Sequence, residues 1–364
     1  MLLRFGMLRT TRIGPLAFYT GMYLKERDEG KRRLPWDILI PEGRPPANHQ
    51  LLKMIKRRAT VWDCGFLIRP RHWMRRLLGQ SPILLDFPGA KFMYAFDLYR
   101  RTPPPFSFTP EEIEMGRRNL KIIGIPEGSE FFCFAARDRA YLKDRVCPVP
   151  GGWAFHDHRN SDIRQYSLAT RQFASEKLYG IRVGSVVEKP LDNPPKFIID
   201  YSTRFRSDFM DIFLAAHCRF FLGDTSGIFT VAHIFGVPVA LANWVPIGIP
   251  LLSARDLFIP KKVWKASENR FLSFREIVHS GIDSWSETVQ YERAGLEPME
   301  NTSGEIADLV REMIERLSGI WVPQPEDERL QDSYKALFEP GHCAHGSPAR
   351  VGAEFLRANR QLLD

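Results

Sequence analysis

Apolar positions along the chain switch repeatedly between helical spacing and short unbroken runs. The clearest stretch is Arg204 to Trp244. Phe209, Ile212, Phe213 and Ala216 fall at helical spacing behind Ser207, a residue suited to an N-cap. Cys218 to Leu222 is a short run with no alternation, as expected of a strand covered on both faces. A Gly-Asp-Thr-Ser-Gly turn follows. A second apolar helix is then predicted from Ile228 to Phe235, ended by Gly236-Val237-Pro238, with a strand from Val239 to Leu241.

The same alternation recurs on both sides. Leu2 to Leu8 is predicted as a strand. Thr10 to Pro15 forms a turn that opens a helix running to about Arg27, with Pro15 in its first turn. Strands are predicted at Trp36 to Ile40 and Phe66 to Ile68, and a helix at Asn48 to Arg57. A Pro-rich join, Thr102 to Phe106, leads to a helix with Thr109 as N-cap and Pro110 at its first position. Beyond it come a strand at Phe131 to Ala136, an amphipathic helix at Asp162 to Leu178, strands at Ile181 to Gly184 and Phe197 to Asp200, and a helix at Ile306 to Leu317. Strands alternating with helices imply parallel sheets. The expected fold class is therefore α/β, with two Rossmann-like domains facing each other across a cleft. Residues 1–115 would form the first, 116–322 the second, and 323–364 a partly helical extension.

Composition narrows the classes. Hydrophobic content of 44% and charged content of 26% suit a globular protein. No run of about 18 apolar residues is present, so no membrane-spanning helix is expected. Arg4, Arg9 and Arg12 break the apolar N-terminus and argue against a signal peptide. The five cysteines are scattered, which points to a reduced, cytoplasmic chain without a zinc site. A net charge of +8 fits a solvated Arg-rich surface, an anionic substrate or an anionic membrane. Lys56, Arg57, Arg58, Arg69, Arg71, Arg75 and Arg76 are interleaved with Trp62, Phe66 and Trp73, which suits peripheral contact at the inner face of a membrane. No nucleic-acid motif accompanies them.

In open α/β sheets, ligands gather beyond the carboxyl ends of the strands. Three polar features are predicted there: Arg137-Asp138, Arg182 and the Thr225-Ser226-Gly227 turn. Guanidinium forks match phosphate oxygens, and free N–H groups at a helix start attract anions. Thr225 could equally cap the helix and Gly227 only permit close packing. Arg204 and Arg206 add charge ahead of the next helix, where Asp208 suits a cap. The dense polar segment His156, Asp157, Arg159, Asn160 reads as a loop with a helix cap or as a cover over a sugar cleft. Two histidines there lack the further ligands a metal needs, so no metal or other cofactor is expected. In the first domain Thr11, Arg12 and Gly14 end the first strand, where Gly14 would let a phosphate approach the backbone. No residue is placed as general base; His49 and Glu26 are candidates without a position.

Several of these pieces occur together in one order: Ala136-Arg137-Asp138 with Tyr141, His156-Asp157 with Arg159-Asn160-Ser161, Ile181 to Gly184, Arg206 to Asp211, Gly223 with Ser226-Gly227, Pro238, Asn243, Pro246, and Asp256 to Lys261. They resemble a family of bacterial glycosyltransferases tied to surface polysaccharide, itself distantly similar to GT-B fucosyltransferases. The resemblance implies a GT-B-like enzyme that takes a nucleotide-diphosphate sugar as donor and a glycan or lipid-linked acceptor. It implies that Arg137 and the Thr225-Ser226-Gly227 turn hold the donor diphosphate, and that transfer inverts. Ala135 stands where fucosyltransferases commonly carry a histidine. A nucleotide-sugar epimerase and a non-catalytic nucleotide-binding scaffold share the same fold expectation.

Overall fold

The computed structural model describes residues 3–30, 36–43, 45–63, 84–85, 95–140 and 154–364. Its framework is two parallel sheets. The first is four-stranded, in the order β3-β2-β1-β4, from β1 (Arg4–Leu8), β2 (Asp37–Pro41), β3 (Thr60–Val61) and β4 (Leu84–Leu85). The second uses β5 (Glu130–Phe134), β6 (Leu178–Arg182), β7 (Ile198–Asp200), β8 (Phe221–Gly223), β9 (Val239–Trp244), β10 (Leu257–Pro260) and β14 (Arg350–Val351). Their order is β14-β10-β9-β8-β5-β6-β7. A small antiparallel sheet of β11 (Lys262–Lys265), β12 (Arg270–Phe271) and β13 (Leu296–Met299) projects from the second. The expected α/β class with two Rossmann-like units holds.

In both parallel sheets the first strand in the chain lies at the centre. The chain moves outward on one side, then crosses to the other. A crevice opens where the winding reverses, between the first and fourth strands of each unit. In the second unit that point lies between β5 and β8.

Local chemistry explains the helix starts. Asn48 caps α2 (His49–Arg58) by accepting from the Leu51 N–H. Thr109 and Glu112 form a capping box with Pro110 at the start of α3 (Pro110–Ile122). Ser207 accepts from the Met210 N–H at the start of α4 (Asp208–His217). Thr302 and Glu305 form another box on α6 (Ser303–Leu317).

Three expectations change. The helix predicted from Asp162 to Leu178 is a short 3-10 turn at Ile163–Tyr166 and a helix at Ser167–Phe173. Leu178 instead begins β6, because its apolar run Leu-Tyr-Gly-Ile is wholly buried between β5 and β7. The extension after residue 323 supplies an edge strand to the second sheet, paired in parallel with β10. The strand expected at Phe66 to Ile68 lies outside the described residues, as do Arg69, Arg71, Arg75 and Arg76. Of the same basic group, Lys56 pairs with Asp63, Arg57 with Glu112 and Arg58 with Asp28. No described helix is long and apolar enough to cross a membrane.

The two units are joined by helix packing. α1 (Ile13–Asp28) of the first lies against α5 (Phe229–Ile234) of the second. A Cβ on Gly14 would sit 3.1 Å from the Gly227 Cα, and one on Gly227 would sit 3.1 Å from the Gly14 N. At Gly21 an added Cβ would fall 2.3 Å from Ile234 Cγ1. The Pro-rich join is fastened too: the ammonium of buried Lys25 donates to the carbonyls of Thr102 and Pro103 at 2.6 and 2.9 Å. Phe108 then stacks on Phe235, with ring centres 5.6 Å apart. Gly21→Val should therefore lower stability by about 1–3 kcal/mol through overpacking against Ile234. Urea unfolding of the variant beside the wild chain reads this, and an unchanged midpoint would mean the seam is loose.

Candidate active site at the crevice between the two units

A cavity of about 390 Å³ opens where both crevices meet. Such a volume lies in the range of small-molecule sites. The turn after β1 contributes Arg12 and Gly14. The turn after β5 contributes Arg137 and Asp138, and the turn after β8 contributes Thr225, Ser226 and Gly227. His156 and Arg159 come from the 3-10 segment Ala154–Arg159.

One carboxylate organises these turns. Asp224 is fully buried just past β8. Its Oδ2 accepts the Arg137 N–H at 2.6 Å and also the Ser161 hydroxyl. Ser161 N–H in turn donates to the Arg137 carbonyl at 3.0 Å. Arg159 is drawn to the other side of the turn, where its Nη2 donates to the Thr225 carbonyl. Lys261 reaches the Asn160 carbonyl at 2.7 Å and holds the same segment from below. Burial raises the Asp224 carboxyl above its ordinary range, against the pull of its hydrogen bonds and of Arg137.

Two guanidinium groups thus stand together. Burial lowers the pKa of both; Arg137 adds to the effect on Arg159, which falls to about 10. Among the described residues neither forms an ion pair at contact distance. The Nε of Arg137, the Nε of Arg159 and the Ser226 hydroxyl are shielded from solvent and have no hydrogen-bond partner among the described residues. Buried polar groups are normally satisfied, so three orphans around one cavity mark a place for a polar ligand. Positive charge without an ion-pair partner among the described residues suits an anion, and planar forks match the geometry of phosphate oxygens.

Several expected site residues are occupied elsewhere. Arg182 is buried, donates to the Lys189 carbonyl at 2.7 Å and lies 3.5 Å from Asp200, so it holds the loop after β6 and does not face the cavity. Arg204 is exposed above the Phe205 ring. Arg206 is bound by Asp208 and Asp211 at 2.5 and 2.9 Å. The Thr225 hydroxyl donates to the Val245 carbonyl at 3.1 Å, and the Ser226 N–H to the Asp224 carbonyl at 2.7 Å. The amide cradle expected there is therefore partly used, and α5 beyond it is only six residues long. Thr11 donates to Glu42 at 2.8 Å. Asp157 pairs with Arg139 at 2.6 Å and accepts from Asn160 at 2.9 Å, stitching the 3-10 segment together. His49 bonds Asp208 at 2.7 Å across the seam.

The sequence reading had not assigned Asp224 its anchoring role, nor placed Phe18, Tyr19, Val186, Val187 and the loop Ile249 to Leu252 on the cavity wall. Asp224 left one signal, a lone carboxylate closing an apolar strand. The apolar wall left none, since its residues read as ordinary core.

No known protein family matches the chain, and no curated protein matches it. Solved structures similar to it include two glycosyltransferases. One is a glycosyl transferase family 9 protein from Veillonella parvula, 10% identical, with 66% of this chain and 80% of that chain covered and a TM-score of 0.39. The other is the ADP-heptose lps heptosyltransferase II of E. coli, 13% identical, with 71% and 90% covered and a TM-score of 0.44. Likeness at this level decides nothing about donor, acceptor or chemistry. Among the described residues no cluster of three or more His, Cys, Asp or Glu is placed to hold a metal ion.

The histidines of the 3-10 segment carry a pH signature. His158 is buried, its Nδ1 is 3.1 Å from the Thr288 hydroxyl, and its ring lies 5.3 Å from that of Tyr291. Burial, with the charge of Arg159 behind it, lowers its pKa to about 3. An unfolded chain protonates histidine near pH 6.5. Between about pH 6.5 and 3 the unfolded state therefore binds more protons, and stability falls as pH drops through that window. His158→Gln should narrow the difference between urea midpoints measured at pH 7 and pH 5. An unaltered difference would show that the imidazole is charged in the folded chain.

Proposed function

We propose that the chain is a metal-independent glycosyltransferase that moves a sugar from a nucleotide-diphosphate donor to a glycan or lipid-linked acceptor, with inversion. The observation that carries this is the pair Arg137 and Arg159, which line a cavity between two doubly wound units and form no ion pair at contact distance among the described residues. A leaving diphosphate gathers negative charge as the glycosidic bond breaks. Preorganised guanidinium groups stabilise that charge in the transition state more than in the ground state. The Ser226 hydroxyl adds a neutral donor. Arg12 reaches the same field from the first unit, and its charge bears on both Arg137 and Arg159.

The apolar wall of Phe18, Val186, Val187 and Leu251 suits a flat base or an apolar acceptor segment. Surface polysaccharide is the product class that fits the sequence resemblance. Membrane contact through the basic first unit belongs to the same proposal.

A thermal-shift screen against UDP, GDP, ADP, dTDP and CMP, alone and with their sugars, tests the reading. One nucleoside diphosphate should raise the melting temperature of the wild chain. Arg137→Ala and Arg159→Ala should each weaken its binding by about 10- to 100-fold, the loss of a charge-assisted hydrogen bond. Failure of every nucleotide to stabilise the wild chain, or an equal response of both variants, refutes the donor site. Turnover of the sugar nucleotide without any acceptor would point to an epimerase instead.

A further inference from the structure

The proposed transfer needs a group to take the proton of the incoming hydroxyl, and none of the residues considered so far does so. Asp211 lines the cavity, but it is clamped by Tyr201 at 2.8 Å and Arg206 at 3.0 Å. Asp138 accepts the Ala140 and Glu188 N–H groups at 2.9 and 3.0 Å and ties two loops together. His233 lies 3.0 Å from buried Asp256. His156 is half-buried on the cavity wall, three residues from Arg159 and within the field of Arg137 and Arg12.

We propose that His156, on the wall of the cavity that Arg137 and Arg159 also line, is the general base of the transfer, and that it is competent only beside a bound diphosphate. This rests on the glycosyltransferase reading. In the step, the acceptor oxygen bonds to the anomeric carbon and the bond from that carbon to the phosphate oxygen breaks. Its electron pair leaves with the diphosphate, and the acceptor proton passes to a ring nitrogen of His156 and then to water.

The surroundings explain why the switch needs the ligand. His156 packs on Phe155 with ring centres 4.1 Å apart and faces His158 at 6.4 Å. A backbone hydrogen bond to Ser286 favours its charged form. Burial opposes that form most strongly, and the charges of Arg159, Arg137 and Arg12 oppose it further, so its pKa falls to about 4. Among the described residues, the carboxylates near it are engaged elsewhere: Asp157 is held by Arg139, and Asp224 is directed at the Arg137 backbone and Ser161. A neutral imidazole this weak is a poor base at neutral pH. A diphosphate seated on the same guanidinium groups cancels their field and adds its own negative charge. Both effects favour the imidazolium and raise the pKa toward the working pH. The base is then weak in the empty site and competent only beside a bound donor.

Two measurements on the full chain test this. The first is an NMR titration of the His156 ring, assigned by the signal missing from His156→Gln or His156→Asn, without and with inorganic pyrophosphate. The midpoint should climb from about 4 in the free protein to above about pH 5.5 in the complex. The second uses whichever nucleotide sugar stabilises the wild chain, with water or a simple glycoside as acceptor. His156→Gln should leave nucleotide affinity within about threefold, lower kcat by about 100-fold or more, and remove the acid limb of the kcat profile. Pyrophosphate that binds without moving the midpoint overturns the proposal. So does a variant that keeps wild-type kcat, or one whose only defect is weaker nucleotide binding. If neither pyrophosphate nor any nucleotide binds the wild chain, the donor-site reading falls as well, which separates the two failures.

Discussion

Gly14 and Gly227 put two backbones in contact with no side chain between them. Everything at the crevice depends on that approach. Gly14 opens α1 of the first unit, and Gly227 ends the turn after β8 in the second. An added Cβ at either position would lie 3.1 Å from the facing backbone, so a larger residue would press the two turns apart. Gly21 continues the seam one side-chain layer along, where Ile234 fills the space a larger residue would take. The result is a joint made by helix packing. Arg12 is carried by it into the same field as Arg137 and Arg159.

That concentration of positive charge is unfavourable in the empty protein. Charged groups withdrawn from water without partners weaken a fold, and one buried carboxylate is close by. Yet Asp224 directs its Oδ2 at a backbone N–H and a hydroxyl. It shapes the turns and leaves the guanidinium forks unpaired. Had it paired with Arg137 at contact distance, the local gain in stability would have come at the expense of anion binding. Burial lowers all three pKa values first; like-charged neighbours come next for Arg159 and His156, whereas for Arg137 the nearby Asp224 and Asp157 pull the other way before Arg12 adds to the fall. One anion would relieve all three together, which ties binding to the protonation of the cavity wall.

Much of the architecture was legible because local chemistry and tertiary structure agree. Ser207, Thr109 and Asn48 cap the helices they were expected to cap or begin. Buried strands such as β8 and β9 announce themselves by unbroken apolar runs. The failures have physical reasons. Leu178 satisfies a helical period and a strand core alike, and pairing with β5 decides for the strand. Arg182 and Arg137 both follow central strands, but Asp200 stands near one and not the other, and no spacing rule reveals a partner from the next strand over. The sequence puts Arg159 in a cover over a sugar cleft, within reach of a sugar or a diphosphate; its place beside Thr225 follows from the Asp224 and Ser161 link, a contact 63 residues long. Whether a guanidinium is free is a property of the fold, and sequence alone supplies only the candidates.

The position of β14 has a consequence for how the chain matures. Arg350–Val351 covers the outer edge of β10, and the helix Ala353–Ala358 that follows packs on α6 and on Asp327–Lys335. Until Arg350–Val351 emerges during synthesis, β10 presents uncovered backbone donors and acceptors, the kind of edge that recruits strands from other chains. The second unit is therefore finished late, and shortened or interrupted translation products would be prone to aggregate even though every residue at the crevice had already been made.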